Sequence, residues 1–208
     1  MKRFLWCLLA PMLLAGCSPE PGKPAQGEKA KPAVKEPEYL AGRAAFQQLY
    51  VAAHGWGRDA QPYRLESQIT PDSNGKDGKS GVWRASFASA AQRGIKPYTW
   101  SGSNAPDAPE RGVSPGTEDT YNPTNASTRA FDVAFLKVDS DKALESALQH
   151  GGDKLMQKDP NQPVLYVLEW NAGENGLVWH VIFGTSHNEA KLTVMVNAST
   201  DNFIRVEK

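Results

Sequence analysis

One stretch of the chain looks built for a ligand: SNGKDGKSG, Ser73–Gly81. A phosphate-cradling loop needs Gly, four residues, then Gly-Lys-Ser, and a helix whose first amides hold the anion. Gly78-Lys79-Ser80 supplies the second half of that pattern. Ser73 stands where the first Gly belongs, however, and the strand-like VWRASFAS follows. A calcium loop fails too, because Lys76 takes a ligand position and Asp77 comes one step late. The stretch reads as a glycine-rich hairpin connection. The four histidines, His54, His150, His180 and His187, form no HExxH and no close pair suited to a metal. His54 and His150 sit at helix C-termini, where an imidazole satisfies free carbonyls. His180 neighbours Trp179 on the opposite strand face and is expected to point to solvent. Ser186 beside His187 lacks the G-x-S-x-G turn that exposes a nucleophile. Glu169 and Glu174 bracket a turn without an acid/base partner. No cofactor, metal or catalytic residue is expected. Aromatic residues are the remaining candidates. Strand tryptophans are expected in the core, with Trp100 and Trp170 left as possible platforms for a sugar-like ligand.

The N-terminus carries a different chemistry. MKR followed by FLWCLLAPMLLA is a positive segment and a short apolar run, interrupted by Pro11 and too short to span a bilayer. Its ending, Leu14-Ala15-Gly16-Cys17, strongly resembles the lipobox of bacterial lipoproteins. The resemblance implies that residues 1–16 are a signal peptide and that Cys17 becomes a lipidated N-terminus, carrying diacylglycerol on its sulfur. Ser18, in that class, accompanies sorting to the outer membrane, facing the periplasm. The chain has two cysteines, and Cys7 would leave with the signal. No disulfide is then expected to hold the fold. Residues 17–38 are the lipidated Cys and a linker of Pro, Lys, Glu, Ala and Gly with no apolar periodicity. Extended, it reaches about 60–65 Å at roughly 3.1 Å per residue. Charge is balanced, with 23 basic and 23 acidic residues, so no net field recruits nucleic acid.

Behind these residues stand the elements that must position them. VWRASFAS (82–89) and VWHVIFGT (178–185) echo each other, with Trp83 and Trp179 ninety-six positions apart. Before each copy the sequence places a helix and a strand. AGRAAFQQLYVAAHGWG turns Ala45, Leu49, Ala52 and Ala53 inward and stops near Gly55 and Gly57. DSDKALESALQHGG is capped by Asp139 or Ser140, aligns Ala143, Leu144, Ala147 and Leu148, and stops at Gly151 and Gly152. PYRLESQI and VLYVLEW are strands, and IKPYTWSG and KLTVMVNA close each meander. RAFDVAFLKV, with Phe131, Val133 and Phe135 alternating, is expected to be a strand entering the second copy. The expected class is α+β: two tandem α-β-β-β modules, each a helix on an antiparallel three-stranded meander. The first spans 39–103 and the second 129–208, joined by an irregular connection, 104–128, without elements of its own.

DSDKAL opening a helix, then VLYVLEW, VWHVIF and a closing VMVNAST, resembles PepSY and PepSY-like modules. Their last strand ends near V-x-V-D-A-x-T-G. Here Asn197 replaces the Asp and Asp201 stands at the Gly. The resemblance implies a small α/β fold of secreted and membrane-attached proteins that restrains peptidases or contacts envelope partners. That family has no shared catalytic residues, so none carries over. The expected partners are the membrane, through the lipid, and an envelope protein such as a peptidase. The alternative is a small envelope ligand held between the two modules.

Overall fold

Period-2 runs separated by turn formers give strands. The computed structural model, which describes residues 35–207, shows how they assemble. In chain order the elements are β1 (Leu40–Ala41), α1 (Gly42–Trp56), β2 (Gln61–Gln68), β3 (Lys79–Ser80), β4 (Val82–Ser89), β5 (Gly94–Ser101), β6 (Gly112–Pro115) and β7 (Asp119–Thr120). Then follow α2 (Ser140–Ala147), α3 (Asp153–Lys158), β8 (Val164–Asn171), β9 (Gly176–Phe183), β10 (Leu192–Asn197) and β11 (Phe203–Glu207). The signal peptide, Leu14, Ala15, Gly16, Cys17, Ser18 and most of the linker lie outside the described residues.

The order helix, strand, strand, strand does occur twice, but it does not make two separate modules. β2 and β8 pair antiparallel, Glu66 opposite Val167, and fuse both meanders into one nine-stranded sheet, β11-β10-β9-β8-β2-β4-β5-β6 with β7 also on β5. Each half alone would leave a central strand with unpaired amides; the seam pairs them. The repeat is nevertheless close. Ser67 lies opposite Trp83 and Leu168 opposite Trp179, so β2 and β8 are equivalent strands. The Trp83 Nε1–H donates to the carbonyl of Leu40 at 2.8 Å, just before α1. The Trp179 Nε1–H donates to the carbonyl of Val138 at 2.9 Å, just before α2. The two rings meet edge to face at 6.4 Å.

The helices pack on one face of the sheet, over Leu65, Trp83, Phe87, Tyr166, Leu168, Trp179 and Val194. Ala45, Phe46, Leu49 and Ala53 of α1 and Ala143, Leu144 and Ala147 of α2 supply the covering surface. The first turns of α1 and α2 meet at the seam. Gly42 N–H donates to Ser140 Oγ (2.7 Å), and Arg43 N–H to Asp139 Oδ1 (2.9 Å), so the start of α2 caps α1. Position 42 has no room for a side chain, because a Cβ there would lie 2.7 Å from the Trp179 ring.

Four further expectations change. RAFDVAFLKV is not a strand. Asp132 caps a single 3-10 turn, Val133–Phe135, which buries Phe131 and leaves Phe135 outside. The connection 104–128 is not free of elements, since β6 and β7 extend the sheet beyond β5. Gly151 and Gly152 do not end the second helical arm. They form a wide turn, Leu148–Gly152, after which α3 resumes. Finally, β11 adds a fourth strand to the second half and becomes the sheet edge.

Candidate functional site

Alternation along each strand sends every second side chain away from the helices. On β2 these are Arg64 and Glu66, on β4 Arg84, on β8 Leu165, Val167 and Glu169, on β9 His180 and Ile182, and on β11 Arg205 and Glu207. The charged members form one ladder across the open face. Arg64 Nε donates to Glu66 Oε2 at 2.8 Å, and Arg64 Nη1 donates to Glu169 Oε2. Arg84 Nη1 stands 3.8 Å from Glu66 Oε1. At the other end Arg205 pairs with Glu174 and lies 3.6 Å from Glu207 Oε1. Partial burial works against the Arg64 charge, but the hydrogen bond to Glu66 and the field of Glu169 outweigh it and raise its pKa.

His180 sits in the middle of this ladder. Its Nδ1 is 3.0 Å from Glu207 Oε2. An ionised carboxylate only accepts, so that contact places a proton on Nδ1, and in the neutral imidazole Nε2 is then the acceptor. Nε2 is buried and has no hydrogen-bond partner among the described residues; Glu169 Oε1, the nearest carboxylate oxygen, is 3.7 Å away. Arg64, Glu66, Leu165, Val167, Glu169, His180, Ile182 and His187 line a cleft of about 420 Å³. The cleft straddles the seam: an apolar floor from β8 and β9, a charged rim from β2 and β8.

The expected positions fare differently. His180 does lie on the face away from the helices, but it is 7% exposed rather than solvated, because the ladder closes around it. His54 Nδ1 and His150 Nδ1 reach the carbonyls of Tyr50 (3.2 Å) and Ser146 (2.8 Å), as helix-end imidazoles do. Trp100, 2% exposed, is core and offers no platform. Trp170 is half-buried. Phe135 meets its ring edge to face at 5.5 Å and the Arg129 guanidinium lies 5.1 Å over it, so the chain itself occupies that ring. SNGKDGKSG connects β2 to β4 as a hairpin loop. Gly75 and Gly78 take φ of +76° and +80°, where glycine is favoured, and the Gly75 carbonyl accepts from the buried Tyr166 hydroxyl at 2.5 Å. Among the described residues no three His, Cys, Asp or Glu side chains gather as a metal would require. Sequence reasoning missed the ladder. Its signal was the polar positions of adjacent strands, Arg64 and Glu66, then Glu169, then His180, but only a known strand order brings them side by side.

No family model matches the chain, and no curated protein matches it. Among solved structures, the fold is similar to that of a candidate lipoprotein of Clostridium difficile 630. The TM-score is 0.53 at 12% identity, covering 78% of this chain and 91% of that one. The fold class is therefore α+β, with helices on one face of a large antiparallel sheet, shared with that protein.

Proposed function

We propose that this chain is a lipid-anchored envelope protein whose folded part acts by binding rather than catalysis, holding a small envelope ligand in the cleft at the seam of its two halves. The observation that carries the reading is the cleft itself: an apolar floor with charged side chains converging from both halves, on the face that α1 and α2 leave open. Its carboxylates Glu66 and Glu169 are both engaged by Arg64, which suits recognition better than proton transfer. Anchoring rests on Leu14-Ala15-Gly16-Cys17 and is supported by the fold it shares with a candidate lipoprotein. Ser18 adds the outer membrane as the proposed destination. A Cys17→Ser chain should take up no palmitate label while the wild-type chain does; an unlabelled wild-type chain would end the anchoring proposal.

A second reading has its own observation. β11 is a sheet edge with Phe203 and Val206 37% and 39% exposed, a template for strand addition by a protein partner. The PepSY-like resemblance, with its peptidase partners, belongs to this reading. Methyl NMR of the full-length chain in detergent separates the two. A low-molecular-mass envelope fraction should move Val167 and Ile182 if the cleft is the site. Movement confined to Val206 and Ile204 with the protein fraction would favour the edge, and no movement with either fraction would remove both.

A further inference from the structure

The cleft brings two acceptors together, while Arg64 in its lining is engaged on Glu66 and on the other oxygen of Glu169. With a proton held at Nδ1 by Glu207, the neutral ring of His180 presents the Nε2 lone pair, and Glu169 Oε1 faces it from 3.7 Å. An imidazole nitrogen shut away without a partner carries a desolvation cost that folding alone gives no reason to accept. The charge count points the same way. The ladder holds Arg64, Arg84 and Arg205 against Glu66, Glu169, Glu174 and Glu207, one negative charge in excess while His180 is neutral. With His180 neutral, a single cation that donates two hydrogen bonds would complete the site.

Resting on the cleft reading above, we infer that the ligand presents a primary ammonium group, which donates to His180 Nε2 and Glu169 Oε1. A guanidinium is a poorer fit, because Arg64 already takes the other oxygen of Glu169. A tetrahedral ammonium at about 2.8 Å from each acceptor sets them about 4.6 Å apart, so Glu169 must move outward by just under about 1 Å. Its side chain, paired with Arg64, is 37% exposed, so the shift is toward solvent. The apolar floor of Leu165, Val167 and Ile182 would carry the hydrocarbon next to the amine, as in an aminoalkyl chain.

The test uses n-propylammonium chloride on the full-length chain in zwitterionic detergent at fixed ionic strength, with ¹⁵N-labelled histidine. The expected result is a saturable shift of His180 Nε2, absent with 1-butanol and with tetramethylammonium. Glu169→Gln, at the exposed rim, should weaken the binding about tenfold or more. His180→Gln should abolish it; because that side chain is buried, Glu169→Gln decides if the variant does not fold. An equal response to tetramethylammonium, a response to zinc chloride in place of the amine, or no saturable shift would overturn the inference. If envelope molecules move Val167 and Ile182 while propylammonium moves nothing, the cleft reading stands and the ammonium falls. If nothing moves, both fall.

Discussion

Trp83 and Trp179 are wholly buried on the helix side, and each indole N–H finds a backbone carbonyl. One residue further along, Arg84 and His180 point to the other side of the same strands. There the partners are charged and half-exposed, and one buried nitrogen has none among the described residues. Apolar burial is worth about 25 cal/mol per Å², whereas exposed ion pairs contribute about 0–1 kcal/mol. The helix side thus gathers the large aromatic burial, although Val178, Ile182 and Met195 are buried on the other side too. That side can also hold charges chosen for what they contact.

The comparison is sharpest at the tryptophans. Trp179→Ala should destabilise by about 3–5 kcal/mol, and Trp83→Ala by a similar amount, measured by denaturant unfolding. Because the rings touch, the double variant should lose less than the two losses added. A loss under about 1 kcal/mol for either would break the contrast between faces. A smaller effect is expected at the rim of the sheet, where Asp72 accepts from Thr70 Oγ1 and Ser103 Oγ, both at 2.7 Å, and from Asn104 N–H at 3.1 Å. Burial pushes its pKa up, but these donors prevail and hold it below the usual carboxylate range. Its contribution is therefore present above the unfolded value of about 3.9 and is lost as pH falls through the folded one. Asp72→Asn should cost about 1 kcal/mol near neutrality and flatten the acid limb of the stability curve. An unchanged acid limb would show that these donors do not favour the charged form. The smallest effect belongs to the open face: Arg205→Ala, removing the pairs with Glu174 and Glu207, should change stability by under about 1 kcal/mol. A loss approaching the tryptophan values would mean that the ladder holds the fold.

Much of the helix face was legible in the sequence, because its signals are local. Ala45, Leu49 and Ala53 repeat at helical spacing, Asp139 precedes its helix, and the Trp83 and Trp179 strands alternate. The seam was not, since Glu66 meets Val167 about a hundred residues away and no local pattern encodes that pairing. β6, Gly-Val-Ser-Pro, is a strand only because β5 offers it an edge. The kink at His150 and Gly151 looked like a helix end because the residues that stop a helix also bend one. The site was hidden for the same reason as the seam: each strand shows its own polar positions, while the ladder exists only across strands.

The seam has an ancestry-like logic. Pairing places Glu66 opposite Val167, and these two are equivalent positions of the repeat, so a pseudo-two-fold axis passes between them. That is the geometry of an isologous dimer, in which each residue on the axis meets its own copy. Two identical halves would set Glu66 against a second Glu66, like charges side by side. Within one chain the copies are free to differ. Arg64 answers Glu169 because their repeat counterparts are Leu165 and Gln68, and His180 stands where the other half has Arg84. The asymmetry that makes a single cleft, rather than two mirrored half-sites, is available only to a molecule that carries both halves on one polypeptide.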